Sequence, residues 1–134
     1  MQSAADSAPI SKSSLWAGSI ISTLVVLFLL FDGVTKVLMV APVVEASVQL
    51  GIPLSVVPGI GIVLLICTVV YVIPRTSVLG AILLTGFLGG ATATHVRLGG
   101  PVFPVVFAVA FGVLVWLGLF LRDARLRTLI PLRS

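Results

Sequence analysis

Four apolar runs, each long enough to cross a bilayer, divide this chain of 134 residues, and that pattern leaves few folds open. They cover 15–40, 56–73, 77–96 and 102–121. At ~1.5 Å per residue, helices of about 17 to 25 residues span ~30 Å of hydrocarbon. Only 9% of the residues are charged and 59% are apolar, against about 25% charged in an ordinary soluble domain. The sequence predicts an all-α integral membrane protein, a four-transmembrane-helix antiparallel bundle. Lipid tails are as apolar as leucine, so such a bundle must cohere through small residues and internal polar contacts, and 13 glycines suit that need.

The connections order the helices. Pro74-Arg75 joins the second and third spans, with Thr76 or Ser77 available as N-cap, and Gly99-Gly100-Pro101 turns the third into the fourth. Between the first and second spans, Pro42 and Gly51 bracket a stretch that reads as a short interfacial helix, with proline at its start and glycine past its end. Residues 1–14 read as a disordered Ser/Ala-rich tail, 15–127 as the membrane domain and 128–134 as a C-terminal tail. The first span is too long for a cleavable signal peptide. Lysines and arginines fall six to two across the two faces: Lys12, Arg75, Arg122, Arg125, Arg127 and Arg133 against Lys36 and Arg97. That bias predicts both termini in the cytoplasm.

This topology gathers polar residues at the outer side. Asp32 and Lys36, four apart, share one helical face at the end of a long uncharged stretch, and an ionisable group in a membrane span is a site hypothesis by default. Asp32 and His95 lie ~25 and ~29 Å from the cytoplasmic ends of their helices, so their depths match. Glu45 on the short helix can cap the opening between them. Thr85, Leu88, Thr92 and His95 follow one stripe of the third span, and Gly86, Gly90 and Ala93 form an adjoining small-residue stripe where another helix can approach. Arg97 sits about 200° around that helix from His95 and reaches the pocket only if the helix ends near it. The expected ligand-binding set is therefore Asp32, Lys36, Glu45, Thr92, His95 and Arg97, with Gly86 and Gly90 for packing. The bland alternative is equally definite: Asp32 and Lys36 can be a structural pair that neutralises itself, and His95 a hydrogen-bonded bundle residue.

Several function classes drop out. Cys67, the single cysteine, excludes an intrachain disulfide, a thiol-pair redox centre and a cysteine-built zinc site. One histidine and scattered carboxylates make poor metal or haem chemistry. The net charge of +4 is not interleaved with exposed aromatics, so no nucleic acid partner is expected. Arg122, Arg125, Arg127 and Arg133 instead read as a stop-transfer and lipid contact, and Trp16, Trp116 and Tyr71 as interfacial anchors. No nucleophile elbow, phosphate-cradling loop or hydrolytic carboxylate pair is present in the sequence.

Four strings then carry a family likeness. Phe31-Asp32-Gly33-Val34-Thr35-Lys36, the turn Tyr71-Val72-Ile73-Pro74-Arg75-Thr76-Ser77-Val78-Leu79-Gly80-Ala81, Thr85-Gly86-Phe87-Leu88-Gly89-Gly90-Ala91-Thr92-Ala93-Thr94-His95-Val96-Arg97 and Trp116-Leu117-Gly118-Leu119-Phe120-Leu121-Arg122-Asp123 together resemble the DoxX-like family of small bacterial membrane proteins. The resemblance covers about 15–127 and implies a four-helix bundle in the bacterial cytoplasmic membrane. The wider DoxX/DoxD group takes its name from a subunit linked to quinone reduction, and other relatives are associated with chaperone-like or cargo-receptor roles. Two functions stay open. In one, the outer pocket binds a small amphipathic molecule, a quinone headgroup being the candidate, and the protein is a redox accessory subunit. In the other it is a membrane scaffold or assembly factor, alone or as a homo-oligomer. Small-solute transport is a third reading, for which four helices give little room.

Overall fold

The computed structural model describes residues 11–124 and Leu126. Helix α1 is Lys12–Leu38, α2 Ala41–Gln49, α3 Val57–Val72, α4 Ser77–Leu98 and α5 Phe103–Arg122, with single 3₁₀ turns at Leu54–Val56 and Pro74–Thr76. Four stretches, Lys12–Leu38, Leu54–Val72, Pro74–Leu98 and Phe103–Arg122, are long and apolar enough to cross a membrane, and the short helix α2 lies between the first two.

Local chemistry sets the boundaries. α1 begins at Lys12 rather than Leu15, because the Ser11 hydroxyl accepts from the Ser14 N–H and supplies a cap upstream of the apolar run. The rest of the expected N-terminal tail, 1–10, lies outside the described residues, as does the C-terminal tail 128–134. α1 stops where Met39 takes a left-handed conformation (φ 55°), with the Val40 N–H bonding back to the Thr35 carbonyl. α2 has Pro42 in its first turn and ends at Gly51 (φ 72°), as its sequence predicts. Gly99 (φ 68°) ends α4 in the same way.

The turn at Pro74 departs from expectation. Proline forces Ile73 into an extended conformation (ψ 120°) and leaves the last carbonyls of α3 without helical partners. Thr76 and Ser77 do not cap the N–H groups of α4. Their hydroxyls turn back onto α3, Thr76 Oγ1 donating to the Val70 carbonyl (2.8 Å) and Ser77 Oγ to that of Tyr71 (2.9 Å).

The helices pack as a four-cornered bundle in which α1 and α4 each contact both α3 and α5. Ser14 Oγ donates to the Leu121 carbonyl (2.9 Å), which joins the first turn of α1 to the last of α5 and marks one end of the bundle as the terminal end. The opposite end, with α2 and the α4–α5 turn, is the distal end. The core is concentrated toward the terminal end, where Val25, Leu64, Cys67, Tyr71, Ala81, Leu84, Val115 and Leu119 are buried together and Leu126 packs beneath them.

Close helix approaches depend on glycine, though not at the expected pair. A Cβ on Gly18 would collide with the Gly118 carbonyl and the Arg122 stem, one on Gly61 with the Gly33 carbonyl and the Lys36 stem, and one on Gly80 with the Tyr71 backbone. Gly86 and Gly90 have open space where a side chain would be. The packing expectation for these two is therefore corrected: the distal half of α4 stands away from its neighbours, and its buried residues, Ser77, Gly80, Ala81 and Leu84, all lie in the half nearer the termini.

Overpacking at a close approach costs about 1 to 3 kcal/mol or more. Gly118→Leu and Gly80→Leu are accordingly expected to lower the melting temperature in detergent sharply, and Gly90→Leu to leave it within about a degree or two of the parent. A thermal scan of the three variants checks the placement.

Candidate functional site

The distal half of the bundle holds a cavity of about 650 Å³ with walls from all four long helices. That is the size of a site for a small organic molecule. The wall residues sit on α1 at Phe28, Leu29, Asp32 and Lys36, on α3 at Ile60, on α4 between Gly86 and His95, and on α5 between Phe103 and Phe111, with Leu50 and Ile52 contributed by the α2–α3 connection.

The Gly33–Gly61 approach positions the charged pair. It draws α1 against α3, so the stem of Lys36 passes over Gly61 and the rotation of α1 is fixed. Asp32 and Lys36 then lie against the cavity, Lys36 Nζ bonding to Asp32 Oδ1 at 2.6 Å. The pair is half-buried, with the side chains of Lys36 and Asp32 at 23% and 33% exposure. Lys36 is an ammonium with three donors, and Asp32 Oδ2 is a second acceptor, so the pair can neutralise itself and still offer hydrogen bonds to a guest. Across the cavity, the Nδ1 of His95 lies 2.9 Å from the Ala91 carbonyl. A carbonyl can only accept, so Nδ1 carries the proton, and in the neutral ring Nε2 is left as an acceptor.

Beside these groups stands an aromatic wall. Phe103, Phe107 and Phe111 recur every four residues along one face of α5. Phe107 stacks on Phe111 at 4.8 Å between centroids, and Phe28 of α1 closes on Phe111 at 4.6 Å. The cavity thus combines a charged and imidazole edge with flat apolar walls, an arrangement suited to a molecule with a polar head on an aromatic or planar body.

Of the expected site residues, Asp32, Lys36 and His95 are brought together on this cavity, and Gly86 and Gly90 line it as open wall rather than as helix contacts. Thr92 faces elsewhere: its hydroxyl donates to the Leu88 carbonyl (2.9 Å), and it lines a separate groove of about 800 Å³ between α4 and α5. Glu45 on α2 and Arg97 on α4 are exposed and line neither space. Among the residues missed from sequence are the five phenylalanines Phe28, Phe87, Phe103, Phe107 and Phe111, and Thr94, although the spacing of Phe103, Phe107 and Phe111 was a readable signal. Among the described residues no group of three or more His, Cys, Asp and Glu side chains is placed to hold a metal ion.

No curated protein and no solved structure matches the chain. A sequence model of the DoxX-like family matches residues 20–118, a stretch that includes every wall of the distal cavity. With four membrane-spanning helices and a match over most of its length, the chain belongs to the DoxX-like family and is a multi-pass membrane protein.

Proposed function

We propose that the distal cavity binds a small amphipathic ligand whose polar head meets Asp32, Lys36 and His95 while its body lies against the phenylalanines. The observation that carries this reading is the pairing of an intramembrane ion pair with a preformed, aromatic-walled space of about 650 Å³. An ion pair kept only for packing needs no such space. Charges in a membrane span are costly, and here they border a volume that side chains could have filled. A quinone fits the chemistry: its carbonyls would accept from Lys36, and its planar ring suits the flat apolar surface that Phe28, Phe107 and Phe111 present to the cavity. In that role the protein is a redox accessory subunit of a larger membrane complex, delivering or holding the carrier without a redox centre of its own.

A scaffold or assembly role has its own support in the apolar α4–α5 groove of about 800 Å³, which a helix of a partner or of a second copy could enter. It ranks second because it leaves the charged cavity without a use. Transport ranks third, since four spans give little room for alternating access.

The orientation belongs to the same proposal. With the termini in the cytoplasm of a bacterial cell, the cavity lies in the outer leaflet, and the six-to-two distribution of lysine and arginine supports that assignment. Gly100→Cys is expected to react with membrane-impermeant thiol reagents from outside the cell, and the buried Cys67 to stay unlabelled from either side. Labelling of position 100 only in inverted vesicles would reverse the orientation.

The binding claim is tested by extracting the protein from its membrane and identifying the small molecules that remain with it by mass spectrometry. Asp32→Asn and His95→Gln keep shape and change charge or hydrogen bonding, and each is expected to lower retention about tenfold, the value of one hydrogen bond to a charged group, without loss of melting temperature. Their effects are expected to be non-additive, since both groups contact one molecule. Gly90→Leu fills open space in the wall and is expected to expel the ligand while the fold persists. Exchanging Asp32 and Lys36 separates the readings: a purely structural pair tolerates the swap with a loss of only a few tenths of a kcal/mol and unchanged retention. Unchanged retention in all four variants would put the scaffold reading first.

A further inference from the structure

A second polar cluster lies inside the bundle at the terminal end, about 10 to 16 Å along α1 from Lys12. Arg122 belongs to the last turn of α5, where a long cation ordinarily extends outward to water. Here its side chain runs back into the bundle. Nε donates to the Gly118 carbonyl (3.1 Å) and Nη2 to Ser22 Oγ (3.1 Å). Ser22 Oγ is 3.1 Å from the Tyr71 hydroxyl, which donates to the Val115 carbonyl (2.7 Å). Because Tyr71 spends its proton on that carbonyl, the bond between the two hydroxyls must run from Ser22 to Tyr71, and Ser22 can only accept from Arg122. The order of donors is fixed from the guanidinium inward.

Among the described residues this ordered relay gives the guanidinium no carboxylate partner, and its two bonds use only part of its five-donor fork. The guanidinium borders a groove of about 270 Å³, lined also by Ser19, Thr23, Val26, Leu27 and Val72. Serines and threonines elsewhere in the spans turn their hydroxyls onto a carbonyl of their own helix, as Thr68, Thr85, Thr92 and Thr94 do. Ser19 and Thr23 make no such bond among the described residues. Their hydroxyls line the groove beside Arg122, and the exposed flanks of Leu27 and Val72 continue it along the lipid-facing surface.

We propose that this groove is a binding site for an anionic phospholipid of the leaflet at the terminal end, with Arg122, Ser19 and Thr23 on the headgroup and Leu27 and Val72 along an acyl chain. Charge complementarity favours that occupant: the guanidinium has no carboxylate partner among the described residues, and a phosphate accepts from both a guanidinium fork and hydroxyls. A neutral zwitterionic lipid offers the same phosphate but cancels the charge that Arg122 needs.

The test is native mass spectrometry of the full chain in detergent with equal amounts of phosphatidylglycerol and phosphatidylcholine. The wild type is expected to retain phosphatidylglycerol roughly fivefold over phosphatidylcholine, the value of one basic residue at an anionic surface. Arg122→Gln should bring that ratio near one, while Arg75→Gln, which removes the same charge at the same end, should leave it unchanged. Thr23→Val and Leu27→Trp leave the relay from Arg122 to Tyr71 intact. If Arg122→Gln fails to fold, these two decide: Thr23→Val, which removes a donor to the phosphate both lipids carry, and Leu27→Trp, which fills the chain path, should each reduce retention of both lipids. Added inorganic phosphate at millimolar concentration should not displace the lipid, since the chain contact would be missing from its own binding. Equal retention of the two lipids by the wild type, retention of both lipids left unchanged by Thr23→Val and Leu27→Trp, or displacement by phosphate alone would overturn the proposal.

Discussion

Tyr71 is the fixed point of the bundle. Its side chain is 1% exposed, and its hydroxyl ties α3 to the Val115 carbonyl of α5 and to Ser22 of α1, while Gly80 of α4 lies against its backbone. All four long helices therefore meet around one residue. In a bilayer no hydrophobic force drives helices together, so such an interhelical hydrogen bond, worth about 0.6 to 2 kcal/mol, combines with close glycine contacts to replace it. Those contacts cluster at the terminal end, at Gly18, Gly80 and Gly118.

A clamp at one end frees the other. With α4 and α5 secured near the termini, the distal half of α4 need not close on α1 to keep the bundle intact, and the space bounded by α1, α4 and α5 becomes the cavity. Among the described residues Gly33 and Gly61 provide the close glycine approach of the distal half, and it aligns Asp32 and Lys36 with that space. The tight packing and the cavity with its ion pair thus lie in opposite halves of one small fold, so the charge in the spans does not interrupt the core.

What the sequence revealed, and what it hid, follows from the range of each interaction. The helices and turns were legible because Pro74, Gly51 and Gly99 act locally on backbone geometry. Asp32, Lys36 and His95 were legible because ionisable groups stand out in apolar spans. Gly86 and Gly90 misled because a missing side chain makes room equally well for a helix or for a cavity, and only the neighbouring helix distinguishes the two. Tyr71 and Arg122 were read as boundary residues. Their partner Ser22 lies 49 and 100 residues away along the chain, and no periodicity within a single span encodes such a pairing. The phenylalanine wall was hidden for another reason: its spacing was plain, but in a wholly apolar helix a stripe of phenylalanine has the same appearance whether it faces lipid, core or ligand.

The most direct measurement is an experimental density map of the protein purified from its native membrane in mild detergent without added ligand. The account predicts elongated, non-protein density in the distal half, bounded by Phe28, Phe107 and Phe111 and ending against Asp32, Lys36 and His95. A map in which the distal half of α4 collapses onto α1, with side chains filling the space and the ion pair sealed from it, would contradict the account.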